Sequence, residues 1–197
     1  ARVANGGGRV AGGTGPLGAT YRTDRTPAEE HAAALFAELV DLVRARVDLF
    51  ILETVASVDQ ARGGLMGCQK ADRPVWLSVT VDDEDGTRLR SGEPVADLAP
   101  VVAEFAPDAV LVNCSRPEAI PAGLEILKTF GRPFGAYANG FTKISEGFLK
   151  DAPTVDALEE RKDLGPKAYA DLVMGWINQG ATIVGGCCEV GPDHITE

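Results

Sequence analysis

The sequence has 197 residues, long enough for one sizeable hydrophobic core. Lys plus Arg total 19 against 29 Asp plus Glu, and the net charge of −10 argues against nucleic acid or an anionic membrane as partner, since both favour a basic surface. No apolar run approaches the ~20 residues of a membrane span, and no secretory signal is visible. Four cysteines are too few for a disulfide scaffold and fit a reducing compartment, which favours the cytoplasm.

Apolar and amphipathic segments alternate along the chain. Strands are predicted at 9–12, 49–52, 75–79, 109–112, 133–137 and 181–184. These runs are short and mostly lack polar alternation, as is typical of buried parallel strands. The first helix is predicted to begin in a capping box formed by residues 26–29, and Ser57 gives a second capping signal. Further helices are predicted to begin at Pro117, Pro166 and Pro192.

Strands that alternate with helices predict an α/β fold with a parallel sheet. Two architectures compete, an open doubly wound sheet and a (β/α)8 barrel. Gly13, Gly15 and Gly18 match the spacing of a dinucleotide-binding loop, but the residues that follow do not begin a helix. Polar residues or glycines end every strand, which suits a barrel whose sites gather at that face. No linker or repeat is visible, so we expect one domain over residues 1–197.

Three cysteines follow predicted strands. Cys114 comes after the strand at 109–112, and Cys187 and Cys188 come after the strand at 181–184. Three thiolates at strand ends suggest one soft metal site with an open position, the composition of catalytic zinc. The spacing matches no zinc finger, and the alternative is that these cysteines pack as small buried hydrophobes. Cys68 lies in a predicted helix and is expected to be a buried thiol.

The strand ends also carry a resemblance. Short polar or glycine-rich motifs occur in a fixed order at 12–16, 52–54, 113–114, 137–140 and 185–188. This order resembles the homocysteine S-methyltransferase family. The resemblance implies a (β/α)8 TIM barrel and Zn2+ held by Cys114, Cys187 and Cys188, with the sulfur of homocysteine as fourth ligand. It implies that a methyl group passes from a small methyl donor to homocysteine and forms methionine.

The resemblance also implies substrate-binding residues. Glu53 would receive the amino group of homocysteine, with capping of the helix near Ser57 as the alternative role. Thr54, beside it, is expected to be structural. Asn113 either orients the metal site or satisfies backbone groups. Tyr137 and Asn139 are candidates for the pocket lining, with packing as the alternative for Tyr137.

Two other polar features have simpler interpretations. His194 follows Pro192 at a predicted helix start and is expected to be a polar helix residue rather than a metal ligand. The acidic run 82–86 is expected to be a solvated loop rather than a calcium site.

The sequence departs from the family pattern at its beginning. The Asp-Gly-Gly strand that opens such a barrel is not present, and six strands are found where eight are needed. We therefore expect a barrel that lacks its first two βα units and its last helix, with weak activity. The alternatives are a non-catalytic zinc- or thiol-binding barrel fragment, a subunit completed by another chain, or a methyltransferase that acts on selenocysteine or another small thiol. Association into a homo-oligomer stays open.

Overall fold

The computed structural model describes residues 7–145, 147–150 and 154–197. Six strands form one sheet, with every strand parallel to its neighbours and the spatial order equal to the chain order. The strands are β1 (Ala11–Thr14), β2 (Leu49–Val55), β3 (Val75–Val79), β4 (Ala109–Asn113), β5 (Phe134–Ala138) and β6 (Ile183–Gly186). A doubly wound sheet would reverse its strand order. This order belongs instead to a curled half-barrel of the TIM type, which confirms the predicted incomplete barrel.

A helix follows each of the six strands. The helices are α1 (Glu29–Val43), α2 (Val58–Cys68), α3 (Ala99–Phe105), α4 (Ile120–Leu127), α5 (Pro166–Asn178) and α6 (Pro192–Thr196). Their apolar faces pack on the sheet and bury large side chains such as Phe36, Leu124 and Trp176. Because all strands run the same way, their carboxyl ends meet at one edge, where the predicted site residues lie. No helix in the described part of the chain is long and apolar enough to cross a membrane.

The first and last strands each begin two residues later than predicted. Val10 forms both of its backbone contacts with Asp48, through the Asp48 carboxylate and amide, so the regular ladder begins at Ala11. The amide of Ala181 donates to the Trp176 carbonyl and so belongs to the end of α5. Both strands continue into small residues, whose sequence lacks the apolar signal that marks a buried strand.

Two predicted helix starts were wrong. α1 begins at Glu29 with Ala28 as its N-cap, and no side chain caps it. The hydroxyl of Thr26 instead accepts a hydrogen bond from Gln60 Nε2 at 2.8 Å, a long-range contact that sequence spacing cannot reveal. α4 begins at Ile120 rather than at Pro117, because residues 117–119 form a turn.

Other helix boundaries agree with the sequence. Ser57 caps α2 by accepting from the Gln60 amide, and α5 and α6 begin at the predicted prolines. α2 packs on α1 through glycine: a Cβ on Gly67 would lie 2.5 Å from the Phe36 Cβ and 2.6 Å from the Ala33 carbonyl oxygen. Only a residue without a side chain permits this approach.

Candidate metal centre

The three cysteines that follow β4 and β6 lie together at the carboxyl edge of the sheet. The Cys114 Sγ is 2.8 Å from the Cys187 Sγ and 3.9 Å from the Cys188 Sγ, and the last two sulfurs are 3.9 Å apart. Within the described ranges, this is the one group of three or more His, Cys, Asp or Glu residues that could hold a metal ion. Cys114 is buried, Cys187 is half-buried and Cys188 is exposed, so the cluster opens to solvent on one side.

Backbone conformation directs these sulfurs. Cys114 has φ +49° and Glu189, which follows Cys188, has φ +61°, both in the left-handed region that costs energy for residues other than glycine. The Cys187 amide donates to the Ala138 carbonyl and so extends the pairing of β5 with β6. Gly186 permits the turn that follows, because a Cβ there would lie 2.2 Å from a Val190 methyl carbon. Strained backbone at Cys114 and beside Cys188 is typical of a functional site.

The three thiols share protons unequally. Hydrogen bonding from Cys114, then from Cys187, lowers the pKa of Cys188. The hydrogen bond between Cys187 and Cys114, in contrast, raises the pKa of Cys187. For Cys114 the contact with Cys187 lowers the pKa, but the contact with Cys188 and burial outweigh it and raise the pKa to about 11. Without a metal, these contacts therefore favour Cys188 as the site of negative charge in the cluster.

Glu53, at the carboxyl end of β2, faces the same cavity. Its Oε1 accepts a hydrogen bond from the Tyr137 hydroxyl at 3.0 Å. Burial, followed by the charge of Glu53, raises the pKa of Tyr137, so the phenol stays protonated and donates. A Cβ on Gly13 would lie 2.5 Å from Glu53 Oε2, so a side chain at this position of β1 would force the carboxylate to shift. The first turn of α2 is capped by Ser57, which accepts from the Gln60 amide, and by Glu93, which accepts from the Val58 amide.

Asn113 ties the end of β4 to the end of β2. Its Oδ1 accepts from the Thr54 amide and from the Ser78 hydroxyl, each at 2.9 Å, and its Nδ2 donates to the Thr54 hydroxyl at 3.0 Å. Thr54 has φ +58°. The side-chain amide therefore replaces strand pairing and holds the backbone turn that follows Glu53.

Asn139 is 1% exposed and lies behind the site. Its side-chain Oδ1 accepts from the Phe141 backbone amide, and its backbone amide donates to the Ser115 carbonyl. Neither Asn139 nor Tyr137 is among the described residues that line the cavity. Tyr137 reaches the site through Glu53, whereas Asn139 shapes the loop that carries Phe141.

The cavity beside the sulfurs has a volume of about 250 Å³. Besides Glu53, Thr54, Asn113 and the three cysteines, its lining contains residues that the sequence did not single out: Thr20, Tyr21, Phe141, Phe148 and Leu158. They come from the loops after β1 and β5, where no strand or helix periodicity marks them. The available signal was the presence of aromatic residues in these two loops, Tyr21 after β1 and Phe141 and Phe148 after β5.

The family model for homocysteine S-methyltransferase matches residues 1–197. The chain belongs to the homocysteine S-methyltransferase family. It is 26% identical over 198 residues to homocysteine S-methyltransferase YbgG of Bacillus subtilis, covering 95% of this chain and 59% of the relative. It is 31% identical over 160 residues to homocysteine S-methyltransferase 4 of Zea mays, covering 78% of this chain and 44% of the relative. It is 29% identical over 160 residues to selenocysteine methyltransferase of Astragalus bisulcatus, covering 76% and 43%.

Solved structures give the same relationship. The metallated form of the homocysteine methyltransferase MmuM from Escherichia coli matches with a TM-score of 0.74 and 25% identity, covering 95% of this chain and 59% of that chain. Its apo form matches with a TM-score of 0.71 and 24% identity, covering 95% and 61%. The chain therefore spans less than two thirds of the length of these relatives.

His194 and Cys68 lie outside the sulfur cluster of this homocysteine S-methyltransferase family member. The Gly191 amide donates to His194 Nδ1 at 3.2 Å, so the ring proton is on Nε2, which lies 3.0 Å from the Leu164 carbonyl oxygen. Both ring nitrogens are engaged, as expected for a polar helix residue. Cys68 is 3% exposed at the end of α2, and burial raises its pKa to about 12.

The acidic run 82–86 differs from the solvated loop expected of it. Asp83 forms an ion pair with Arg90 at 2.6 Å, and the two side chains are only 9% and 10% exposed. Asp82 and Asp85 instead accept local backbone hydrogen bonds in an exposed turn. The prediction was wrong for Asp83, because a partner seven residues away removes it from solvent.

Proposed function

We propose that this chain carries the homocysteine-binding part of a zinc-dependent methyltransferase that transfers a methyl group to the thiol of homocysteine and forms methionine. The observation that carries the proposal is the approach of three sulfurs to within 3.9 Å beside a cavity that also exposes a carboxylate. Membership of the family supports the same reaction.

The donor set fits zinc. Zn–S bonds of about 2.3 Å in a tetrahedral site place sulfurs about 3.8 Å apart, close to two of the three separations observed here. Cys114 and Cys187, now 2.8 Å apart, would separate by about 1 Å. Cys114, Cys187 and Cys188 would thus hold the ion and leave a fourth position toward the cavity. When bound, zinc keeps a coordinated thiol deprotonated at neutral pH.

The residues around the cavity bind the other end of the substrate. The Glu53 carboxylate receives the ammonium group of homocysteine, and the Tyr137 hydroxyl fixes the carboxylate from behind. The aromatic residues Tyr21, Phe141 and Phe148 form an apolar wall that excludes water from the sulfur. Asn113 keeps the Glu53 turn in register with Cys114, its neighbour in sequence.

The reaction is a displacement at carbon. The homocysteine thiol loses its proton to solvent before transfer, and the sulfur uses an electron pair to form a bond to the methyl carbon. The bond from that carbon to the donor breaks, and its electron pair leaves with the donor. The chain supplies orientation, because the substrate is held at its amino group by Glu53 and at its sulfur beside Cys114.

Metal stoichiometry tests the proposal. We expect about one Zn2+ per chain by elemental analysis after zinc loading and desalting. Cys114→Ala and Cys188→Ala should lose tight binding, whereas the matched Cys68→Ala should keep it, because Cys68 lies outside the cluster. Stoichiometric zinc in purified Cys188→Ala would contradict the proposed site.

Activity tests the substrate. Zinc-loaded protein is incubated with homocysteine and a panel of methyl donors, and methionine is measured by mass spectrometry. Selenocysteine is a second candidate acceptor, because the chain is similar to a selenocysteine methyltransferase. The same assay with selenocysteine in place of homocysteine shows which of the two acceptors is methylated. Zinc uptake without methylation of either would indicate a non-catalytic thiol-binding module.

We place the protein in the cytoplasm. All four cysteines are free, and the cluster needs reduced thiols to bind a metal. Fractionation followed by immunoblotting tests this location.

A further inference from the structure

The peptide of Cys114 is held from several sides. Its carbonyl oxygen accepts from the Tyr21 hydroxyl and from the Thr80 hydroxyl, each at 3.3 Å. Its amide donates to the Tyr137 carbonyl at 3.2 Å. These contacts hold a residue whose φ of +49° is unfavourable for a side-chain-bearing residue, and the φ angle decides where the Cys114 sulfur points.

The guanidinium of Arg90 contacts both Tyr21 and Thr80, the two residues whose hydroxyls donate to the Cys114 carbonyl. The Arg90 Nε donates to the Thr80 oxygen at 3.4 Å, and the Arg90 Cζ lies 5.3 Å from the centre of the Tyr21 ring. Because arginine only donates, Thr80 must accept from it, which leaves the Thr80 proton for the Cys114 carbonyl or for the neighbouring Ser115 hydroxyl. The cation over the ring fixes Tyr21 in the same way.

Asp83 fixes the guanidinium. Its Oδ1 accepts from Arg90 at 2.6 Å, and the two side chains are 9% and 10% exposed. Its Oδ2 accepts from the Ile144 amide at 3.0 Å, in the loop that also carries Phe141 and Phe148. Asp83 Oδ1 also accepts from the Arg116 amide at 3.4 Å, so the pair joins the loops after β1, β3, β4 and β5 on one side of the cavity.

We propose that Arg90, held by Asp83, is a positioning residue for the metal site and acts through Tyr21 and Thr80 on the peptide of Cys114. The inference rests on the proposed metal-dependent function and extends it to side chains that do not touch the metal. Outer residues that orient metal ligands typically contribute 10–100-fold to metal affinity. An arginine fork suits the role, because it reaches a carboxylate, a hydroxyl and a ring at once.

The test measures metal affinity directly. Zinc affinity is obtained by competition with a chelator, and Co2+ is used as a probe whose thiolate charge-transfer and d–d absorption report ligand geometry. Tyr21→Phe and Thr80→Val each remove one hydroxyl donor and keep the ion pair. We expect each to weaken zinc binding by about tenfold and to change the cobalt spectrum.

Arg90→Met should weaken zinc binding by about 10–100-fold, and Arg90→Lys should rescue it only in part, since an ammonium lacks the fork. Because Arg90→Met leaves a buried carboxylate unpaired, it is also made together with Asp83→Asn. Arg62→Met is the matched control: Arg62 lies 5.6 Å from the Phe105 ring and bonds Glu104 at 2.7 Å, on the outer helices. It should bind zinc as the wild type does.

The proposal is overturned if Tyr21→Phe and Thr80→Val both bind zinc like the wild type with an unchanged cobalt spectrum. If the wild-type chain takes up no metal, the proposed function fails. The contacts from Arg90 to the Cys114 peptide can then still be tested on the metal-free protein. The carbonyl 13C resonance of Cys114 should shift in Thr80→Val and Arg90→Met but not in Arg62→Met. An unshifted resonance would overturn the network itself.

Discussion

The Glu53 carboxylate is placed between two strands, with the Tyr137 hydroxyl on one side and Gly13 on the other. Glu53→Gln should weaken homocysteine binding by about 1.5–3 kcal/mol, the contribution of a charge-assisted hydrogen bond. Titration calorimetry on the zinc-loaded protein measures it. Tyr137→Phe, which keeps the carboxylate, should cost less, and zinc content should be unchanged in both. Normal binding by Glu53→Gln would remove Glu53 from the pocket.

Cys68 makes stability depend on pH. Burial raises its folded pKa from 9.0 to about 12, so the folded chain keeps the proton over a range in which the unfolded chain releases it. The contribution of the buried Cys68 thiol to the free energy of unfolding is complete below about pH 9 and is lost as the pH rises toward about 12. The cost of Cys68→Ala in the free energy of unfolding should therefore be smaller at about pH 10.5 than at about pH 8, by at most roughly 2 kcal/mol.

Denaturant unfolding of both proteins at both pH values, under reducing conditions, measures this difference. The titrations of the three clustered cysteines are common to the two proteins and cancel in the comparison. An equal cost at both pH values would show that the thiol is not held neutral by burial.

The three clustered cysteines could be predicted from the sequence, because Cys114 and the Cys187–Cys188 pair each follow an apolar run that forms a strand of the parallel sheet. The role of Tyr21 could not be predicted from the sequence. Its contact with the Cys114 carbonyl spans 93 residues, and Tyr21 lies in a loop with a φ of +63°. The burial of Asp83 was also not predicted. The acidic residues around it indicate a solvated loop and give no sign of its ion pair with Arg90. The sequence did not reveal side-chain pairing in the loops, whether between two loops, as for Tyr21, or within one loop, as for Asp83 and Arg90.

At the scale of elements, the contact between α1 and α2 depends on Gly67. Gly67→Ala should destabilise the fold by about 1–3 kcal/mol, because the added methyl group meets the Ala33 carbonyl and Phe36. Gly175→Ala in α5 is the matched control: beyond the adjacent backbone of its own helix, no described atom lies within 4 Å of the added methyl group, so it should stabilise the helix by up to about 1 kcal/mol. Thermal unfolding measures both, and a neutral Gly67→Ala would contradict the close approach.

Strand number, order and direction followed from the apolar runs, but the element ends did not. β1 and β6 shifted toward glycines that carry no periodic signal, and α1 lost its expected cap because Thr26 bonds to Gln60 instead. Both errors have the same physical origin. Neighbouring strands and helices, rather than local residues, decide where a ladder or a helix begins.

Across the whole molecule, apolar side chains are exposed around the outer edge of β6. Met174, Ile177, Val184 and Ile195 are 52%, 41%, 40% and 60% exposed. An open parallel edge beside such residues promotes association. We expect the purified chain to associate as its concentration rises, measured by light scattering. Val184→Lys with Ile195→Lys should reduce this, whereas Leu42→Lys on α1 should reduce it less. An equal effect of the two sets would contradict an origin at β6.

The three clustered sulfurs follow β4 and β6, which are not neighbours in the sheet and are joined through β5. An ion bound by Cys114, Cys187 and Cys188 would be a cross-link over 73 residues of chain, a brace across the last strand. Chelation would then do more than empty a site: β6 and α6 would be the first part of the fold to open and exchange their amide hydrogens. The supply of metal in the cell would set the lifetime of this protein as well as its chemistry.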